Sequence, residues 1–190
     1  MEMKSEDELV EEVLSGNHRS FELLLEPYRQ GLLNMAYRMT GNLEEAKEVC
    51  QEALIKVYRH LDKFMIGRSF KSWIYKITVN SAYDSLRKKK KYEDLVESQK
   101  KIGLSSGYDP EKQLLNREIK SKIETCLQNL SPKEKAAFLL RDGEGFSIQE
   151  ASEILRCSSI SVRTHLSRAR KKIREQFEKI NIAETKEVRR

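Results

Sequence analysis

The sequence predicts an all-α protein built from two small helical domains joined by a flexible linker, the second of them a helix-turn-helix. Three observations carry this. Apolar residues recur at three- and four-residue spacing along most of the chain, and no strand-like alternation interrupts them. Polar capping residues followed three positions later by Glu mark several helix starts. The periodicity then lapses from Tyr92, where Ser, Gly, Lys and Gln accumulate. The expected boundaries are a first domain over 1–91, a linker over 92–109, a second domain over 110–180 and a polar tail over 181–190.

Ser5 with Glu8 forms an S-x-x-E capping box that opens a first helix, ending near Gly16-Asn17. A second helical run extends from Ser20 to Met39, with Pro27 expected to bend it or to sit near its start. Asn42 and Glu45 cap a third helix whose apolar residues are Val49, Leu54, Ile55, Val57, Tyr58 and Leu61. It runs out near Phe64, and Gly67-Arg68-Ser69 turns the chain.

The fourth helix, Phe70 to about Lys91, is apolar on two faces. Phe70, Trp73, Ile74 and Ile77 lie on one, and Tyr75, Val79, Ala82 and Leu86 on nearly the other. Such a helix is central in a bundle or keeps a face for a partner. Asn80, Asp84 and Arg87 lie close to the Trp73 direction, followed by Lys88 and three further lysines. Aromatic rings, an amide and a cationic end on one element suit single-stranded nucleic acid, whose bases stack and whose phosphates seek charge. Core packing is the favoured reading for Trp73. For Asn80 both readings stay open, because a mid-helix Asn has poor helix propensity and needs a reason.

Asp109 caps a fifth helix with Pro110 at its favoured first position and Leu114, Leu115, Ile119, Ile123 and Leu127 as its stripe. Ser131-Pro132-Lys133-Glu134 repeats the signal for a sixth. Ser147 and Glu150 then open a short helix carrying Ile148, Ala151 and Leu155. Arg156-Cys157-Ser158 breaks it, and a long helix follows with Val162, Leu166, Ala169, Ile173 and Phe177 on one stripe. Thr164, Ser167, Arg168 and Lys171 fall opposite that stripe, with Arg163 and Arg174 on its flanks. From Ser158 through Arg174 there are six basic residues and no acidic one. A Lys/Arg-rich face is often merely solvated. The short preceding helix, the tight turn and the hydroxyls mixed among the cations favour a helix that enters a DNA major groove.

Composition bounds the remaining classes. The net charge of +6, from 36 basic and 30 acidic residues, says less than its placement: the first twelve residues are acidic, while cations crowd Arg87–Lys91 and Arg163–Arg174. Local basic runs suit a polyanion. No apolar run is long enough to span a membrane, and the acidic N-terminus lacks a signal-peptide core, so a cytoplasmic location is expected. Cys50, Cys126 and Cys157 are far apart and read as small buried hydrophobes, with no disulfide framework or metal site. His18, His60 and His165 have no ligand spacing. No nucleotide loop or nucleophile elbow occurs, so neither cofactor nor catalysis is expected. The linker of roughly 18 residues spans about 60 Å when extended, enough for two DNA contacts more than one duplex turn apart.

These segments together resemble the small two-domain extracytoplasmic-function (ECF) sigma factors of bacterial RNA polymerase. The likeness covers about residues 5–178. It is carried by Ala46-Lys-Glu48-Val-Cys-Gln51-Glu52-Ala-Leu54-Ile-Lys56-Val-Tyr58, by Phe70-Lys-Ser-Trp73-Ile-Tyr-Lys-Ile-Thr-Val-Asn80 with Asp84 and Arg87, by Leu130-Ser-Pro132, and by Phe146-Ser-Ile-Gln-Glu150-Ala, Val162-Arg163-Thr164 and Ser167-Arg168-Ala-Arg170. The resemblance implies that Glu48, Gln51 and Glu52 dock on the clamp helices of the polymerase's largest subunit. It implies that the Phe64–Ser69 turn and the helix around Asn80, with Asp84, Arg87 and Lys88, capture a flipped base of the minus-ten element and help open promoter DNA. Arg163, Thr164, Ser167, Arg168 and Lys171 are then expected on the minus-thirty-five element, and an anti-sigma factor is an expected further partner. The chain departs from the family at Ser158-Ser159-Ile160, where Pro-x-Gly is common; Ser158 or Ser159 can cap the helix instead. Glu48 replaces a frequent Asp, and Leu54 a frequent aromatic. The alternatives are a stand-alone helix-turn-helix regulator or a helical interaction module whose cations only solvate it.

Overall fold

The computed structural model describes residues 4–97 and 123–187, with side chains over 4–93 and 123–180. The chain is divided into two compact units, Met1–Gln99 and Lys100–Arg190. All regular structure among the described residues is helical.

In the first unit, α1 (Glu6–Leu14) begins at the Ser5–Glu8 capping box. Helix α2 (His18–Leu25) and α3 (Arg29–Thr40) replace the single run expected over 20–39, because Pro27 breaks the chain between them. Gly41, at φ 76°, ends α3 in a left-handed conformation that only glycine adopts without strain. Asn42 caps α4 (Leu43–Arg59) by accepting the Glu45 amide at 3.0 Å. This helix stops five residues before Phe64; a 3-10 turn, Leu61–Lys63, takes over and buries Leu61.

Helix α5 (Phe70–Glu97) runs through the centre of this unit, packed against α3 and α4, with α1 against α2. Its buried residues are Phe70, Ile74, Tyr75, Thr78, Val79, Ser81 and Ala82, a band wider than one ordinary amphipathic stripe. The Thr78 hydroxyl donates to the Ile74 carbonyl at 3.0 Å, which satisfies a polar group that would otherwise be buried unpaired. The helix continues through 92–97, where the sequence reading had placed the start of the linker.

In the second unit, the expected start of a helix at Asp109-Pro110 lies outside the described residues. Its last turns, 123–128, form α6 and bury Cys126 and Leu127. Helix α7 (Pro132–Phe138) opens with a full capping box, Glu134 accepting from the Ser131 amide at 3.0 Å. It passes into a π-helical turn, Leu139–Gly143, in which the Glu144 amide reaches back five residues to the Leu139 carbonyl. Helix α8 (Ile148–Leu155) and α9 (Ser159–Glu187) complete the unit, and both α7 and α8 pack on α9. The polar tail expected from Asn181 is helical as far as Glu187.

Of the three cysteines only Cys126 is buried; Cys50 and Cys157 are partly exposed, contrary to the reading of all three as buried. Within α4, the core residues are Ala46, Val49, Ala53 and Val57, whereas Ile55 and Tyr58 are exposed. No helix among the described residues is long and apolar enough to cross a membrane.

Glu134 is 5% exposed and meets Lys172 of α9 at 2.7 Å. Burial pushes its carboxyl up, but the Lys172 ammonium and the Ser131 hydrogen bonds outweigh this and hold it below the usual carboxylate range. A carboxyl whose folded value is depressed contributes stability above its unfolded pKa of about 4.3 and loses it as pH falls through the folded value. Glu134→Gln keeps a side chain that can cap but removes the charge. Amide hydrogen exchange in α7 and α9 should therefore speed up at neutral pH by an amount equivalent to about 1–2 kcal/mol, and the difference from the parent should shrink as pH falls below the unfolded value and through the lower folded one.

Candidate nucleic-acid interface

The second unit presents its candidate surface on α9, and local chemistry sets how that helix begins. The Ser147–Glu150 capping box starts α8. Arg156 ends it at φ 51°, a left-handed conformation costly for a residue with a Cβ. The Ser158 hydroxyl then accepts the Ser161 amide at 3.1 Å, so Ser158 caps α9, while the Ser159 hydroxyl reaches back to Gln149 of α8 at 3.2 Å. Two helices joined this tightly form the helix-turn-helix expected from the sequence.

Val162, Leu166 and Ala169 are buried, and Arg163, Thr164, Ser167, Arg168 and Lys171 are all exposed. The structure thus brings the five expected residues onto one solvent face. It also divides the six cations of this stretch. Arg170 makes a two-pronged ion pair with Asp142 of the π turn, Nε to Oδ2 at 2.9 Å and Nη2 to Oδ1 at 2.6 Å. Lys172 is held by Glu134. Lys171 approaches Glu175 at 3.9 Å and in water, where such a pair counts for little. Arg163, Arg168, Lys171 and Arg174 are exposed, and Arg170 and Lys172 orient the helix.

The first unit gathers its candidates on α5 and the loop before it. Phe64, Phe70 and Trp73 form a ring cluster with centroids 5.4–5.8 Å apart, extended by Tyr28 at 5.8 Å from Phe70. Trp73 is half-buried there, so it packs in the cluster as the core reading expected but keeps part of its surface outside the core. Beyond Phe64 the chain exposes Met65 and Ile66, then turns at Gly67 with φ 81°. The Gly67 amide donates to both carboxylate oxygens of Asp7, at 3.2 and 3.3 Å, so α1 holds the loop from outside. The Ser69 hydroxyl caps α5 by accepting the Ser72 amide at 3.1 Å.

Asn80 and Asp84 are half-buried on α5, and Arg87 and Lys88 are exposed. Asp84 lies 3.9 Å from Lys56 and 3.8 Å from Arg87. Lys56 also meets Glu52 at 2.8 Å and the Ser81 hydroxyl at 3.0 Å. Its hydrogen bond lowers the Glu52 carboxyl, aided by the more distant charge of Lys88. Residues assigned separately to polymerase docking and to DNA, Glu52 and Asp84, therefore share one ammonium. Lys89 pairs with Glu45 of α4 at 2.6 Å, whereas Lys88, Lys90 and Lys91 are exposed.

Glu48 and Gln51 are exposed on α4 beside an apolar groove of about 490 Å³, lined by Leu32, Leu33, Leu54, Ile55 and Tyr58 and edged by Arg29 and Lys47. Cys50 sits in this wall, where burial pushes its thiol up to about 11 and keeps it protonated at neutral pH. The groove and the Asp7–Gly67 contact were missed from the sequence. A signal for the first existed: α4 carries apolar residues around more of its circumference than one core face needs.

Comparison with known proteins decides the family. The Sigma-70 region 2 family matches residues 24–92, and the Sigma-70, region 4 family matches residues 120–173. The RNA polymerase sigma-H factor of Pseudomonas aeruginosa is 30% identical over 178 residues, covering 90% of this chain and 92% of its own. The ECF RNA polymerase sigma factor SigW of Bacillus subtilis is 30% identical over 177 residues, covering 88% and 94%. This chain belongs to the ECF sigma factors. Its fold agrees: a sigma factor RpoE solved in complex with the anti-sigma factor NepR, from Bartonella quintana, superposes with a TM-score of 0.71 at 22% identity, over 84% of this chain and 98% of that one. The region 2 match covers the aromatic loop, α4 and α5 as far as Tyr92; the region 4 match covers α7, α8 and α9 as far as Ile173.

The Arg170–Asp142 pair makes a specific demand on this sigma factor. Both partners are partly exposed, 52% and 27% by side chain, so their coupling should be about 0.5–1 kcal/mol. Arg170→Ala and Asp142→Ala should each loosen the second unit to a similar degree. The double variant should lose less than the sum of the two, as read by denaturant unfolding of the full chain.

Proposed function

We propose that this chain binds core RNA polymerase and directs it to promoters, with no catalysis of its own. In this reading α9 reads the minus-thirty-five element in the major groove through Arg163, Thr164, Ser167, Arg168 and Lys171. Arginine can hold guanine by two parallel hydrogen bonds, and the hydroxyls can serve bases or phosphates. The loop over 64–69 and α5, with Asn80, Asp84, Arg87 and Lys88, capture an unstacked base of the minus-ten element. Flipping a base out costs a few kcal/mol, which a shaped pocket offsets. Glu48, Gln51 and Glu52 dock on the polymerase, on the clamp helices of its largest subunit, and the neighbouring apolar groove extends that face.

One observation carries the proposal: a helix-turn-helix whose second helix has no acid from Ser159 through Arg174 and an aromatic-footed, cation-ended helix occur in one chain, in the order of the matched sigma regions. A stand-alone helix-turn-helix regulator needs the first feature and leaves the second without purpose. The relatives named as RNA polymerase sigma factors support the polymerase as partner, and cytoplasmic action follows from it. An anti-sigma factor is proposed as the partner that withholds the chain from polymerase. The open groove on α4, 490 Å³ and apolar with two cations at its edge, offers such a partner a place to compete with the polymerase.

Run-off transcription with purified core polymerase tests the proposal: the chain should confer initiation at discrete promoters, and absence of specific transcripts contradicts it. Arg163→Ala and Arg168→Ala should each weaken promoter binding by about 1–3 kcal/mol where they contact bases. Asn80→Ala should impair promoter opening, followed by permanganate reactivity of unpaired thymines, more than it impairs polymerase binding. Equal loss of both would contradict the role given to Asn80.

A further inference from the structure

Ile160, in the first turn of α9, is 74% exposed, more than any other large apolar side chain among the described residues. A single exposed isoleucine is ordinary on a protein surface. Its position is what sets Ile160 apart. It stands three residues before Arg163, four before Thr164 and seven before Ser167, so it continues the exposed face of α9 toward the helix start. That face is opposite Val162, Leu166 and Ala169, which carry the packing of α9 on the unit's core.

Neighbouring groups sharpen the assignment. The Thr164 hydroxyl donates its proton to the Ile160 carbonyl at 3.0 Å, which leaves it only an acceptor toward a base. The Ser158 and Ser161 hydroxyls lie 2.9 Å apart and bond each other. At this end of the helix, Arg163 therefore supplies the donor and Ile160 the apolar surface. A β-branched side chain in a helix holds essentially one rotamer, so that surface is presented with little entropy to lose. The major-groove group that an apolar side chain reads is the 5-methyl of thymine, which distinguishes T·A from the other pairs.

We propose that Ile160 is a specificity-determining residue of the recognition helix, packing on the 5-methyl group of a thymine in the upstream promoter element. This rests on the proposed function, which assigns α9 to that element. It adds an apolar contact to the polar ones proposed for that face.

Deoxyuridine differs from thymidine only by the methyl group. Holoenzyme assembled from core polymerase and the full chain is bound to a promoter selected by it, with each thymidine of the upstream element replaced in turn. One replacement should weaken binding by the parent about three- to fivefold, the worth of one methyl group taken from water. The same replacement should leave Ile160→Ala unaffected, with Ile160→Val falling between. The inference is overturned if no replacement separates parent from Ile160→Ala, if Ile160→Ala weakens thymidine and deoxyuridine promoters alike, or if the selected element contains no thymine. Arg163→Ala distinguishes the two levels of failure. If Arg163→Ala weakens binding and Ile160→Ala does not, only this inference fails. If neither does, the assignment of α9 to the promoter fails with it.

Discussion

Burial of Val162, Leu166 and Ala169, at 0%, 5% and 0% exposure, sets the roll of α9 about its own axis. Fully burying a valine or leucine side chain is worth about 1.5–3 kcal/mol each. Turning the helix by one residue, about 100°, would bring such groups into water and press Arg163 or Arg170 into the core. No exposed ion pair, at about 0–1 kcal/mol, could offset that. The hydrophobic stripe therefore decides which side chains α9 can show to DNA, and the ion pairs to Asp142 and Glu134 only trim the angle. This is why a run of six cations resolves into two orienting residues and four outward ones.

The first unit solves a different problem with its central helix. Seven residues of α5 are buried against neighbours that include α3 and α4, so its exposed surface is narrow and falls mostly toward the cationic end. The base capture proposed for the 64–69 loop requires a firm floor, because the energy recovered from an extruded base depends on a pocket already shaped for it. The Phe64–Phe70–Trp73 cluster provides a floor of interlocked rings. The Asp7 carboxylate fixes the Gly67 amide from the other side. Between α4 and α5, Lys56 serves Glu52 and Asp84 at once. Any partner that takes Glu52 changes the charge Asp84 experiences, so the surfaces proposed for polymerase docking and for the minus-ten element are electrostatic neighbours.

What could be read from the sequence follows from how local its cause is. The capping boxes at Ser5, Ser131 and Ser147 involve residues three apart, and all three form. The exposed face of α9 was legible because period and packing coincide there. The helical stretches 92–97 and 181–187 were misread because apolar periodicity marks only helices that bury a face. Ile55 and Tyr58 show the opposite limit: spacing shows that a face is apolar but not whether a neighbour covers it, and both are exposed. Pro27 signalled a break without saying whether it would bend one helix or separate two. The Asp7–Gly67 contact joins residues 60 apart in sequence, and no local pattern announces such a pairing.

The π turn at Leu139–Gly143 shows how a departure from regular helix serves the site. One extra residue per turn widens the backbone, so the Glu144 and Phe146 amides reach Leu139 and Leu140 while both leucines stay buried. The Arg141 guanidinium donates to the Phe146 carbonyl at 3.2 Å and closes the loop that leads into α8. Asp142, inside this turn, faces α9 and receives both prongs of Arg170. A continuous α-helix through 139–143 would advance Asp142 along a different spiral and cost the pair its geometry. The turn thus converts a local change in backbone winding into a hold on α9 at Arg170, about two helical turns beyond Arg163.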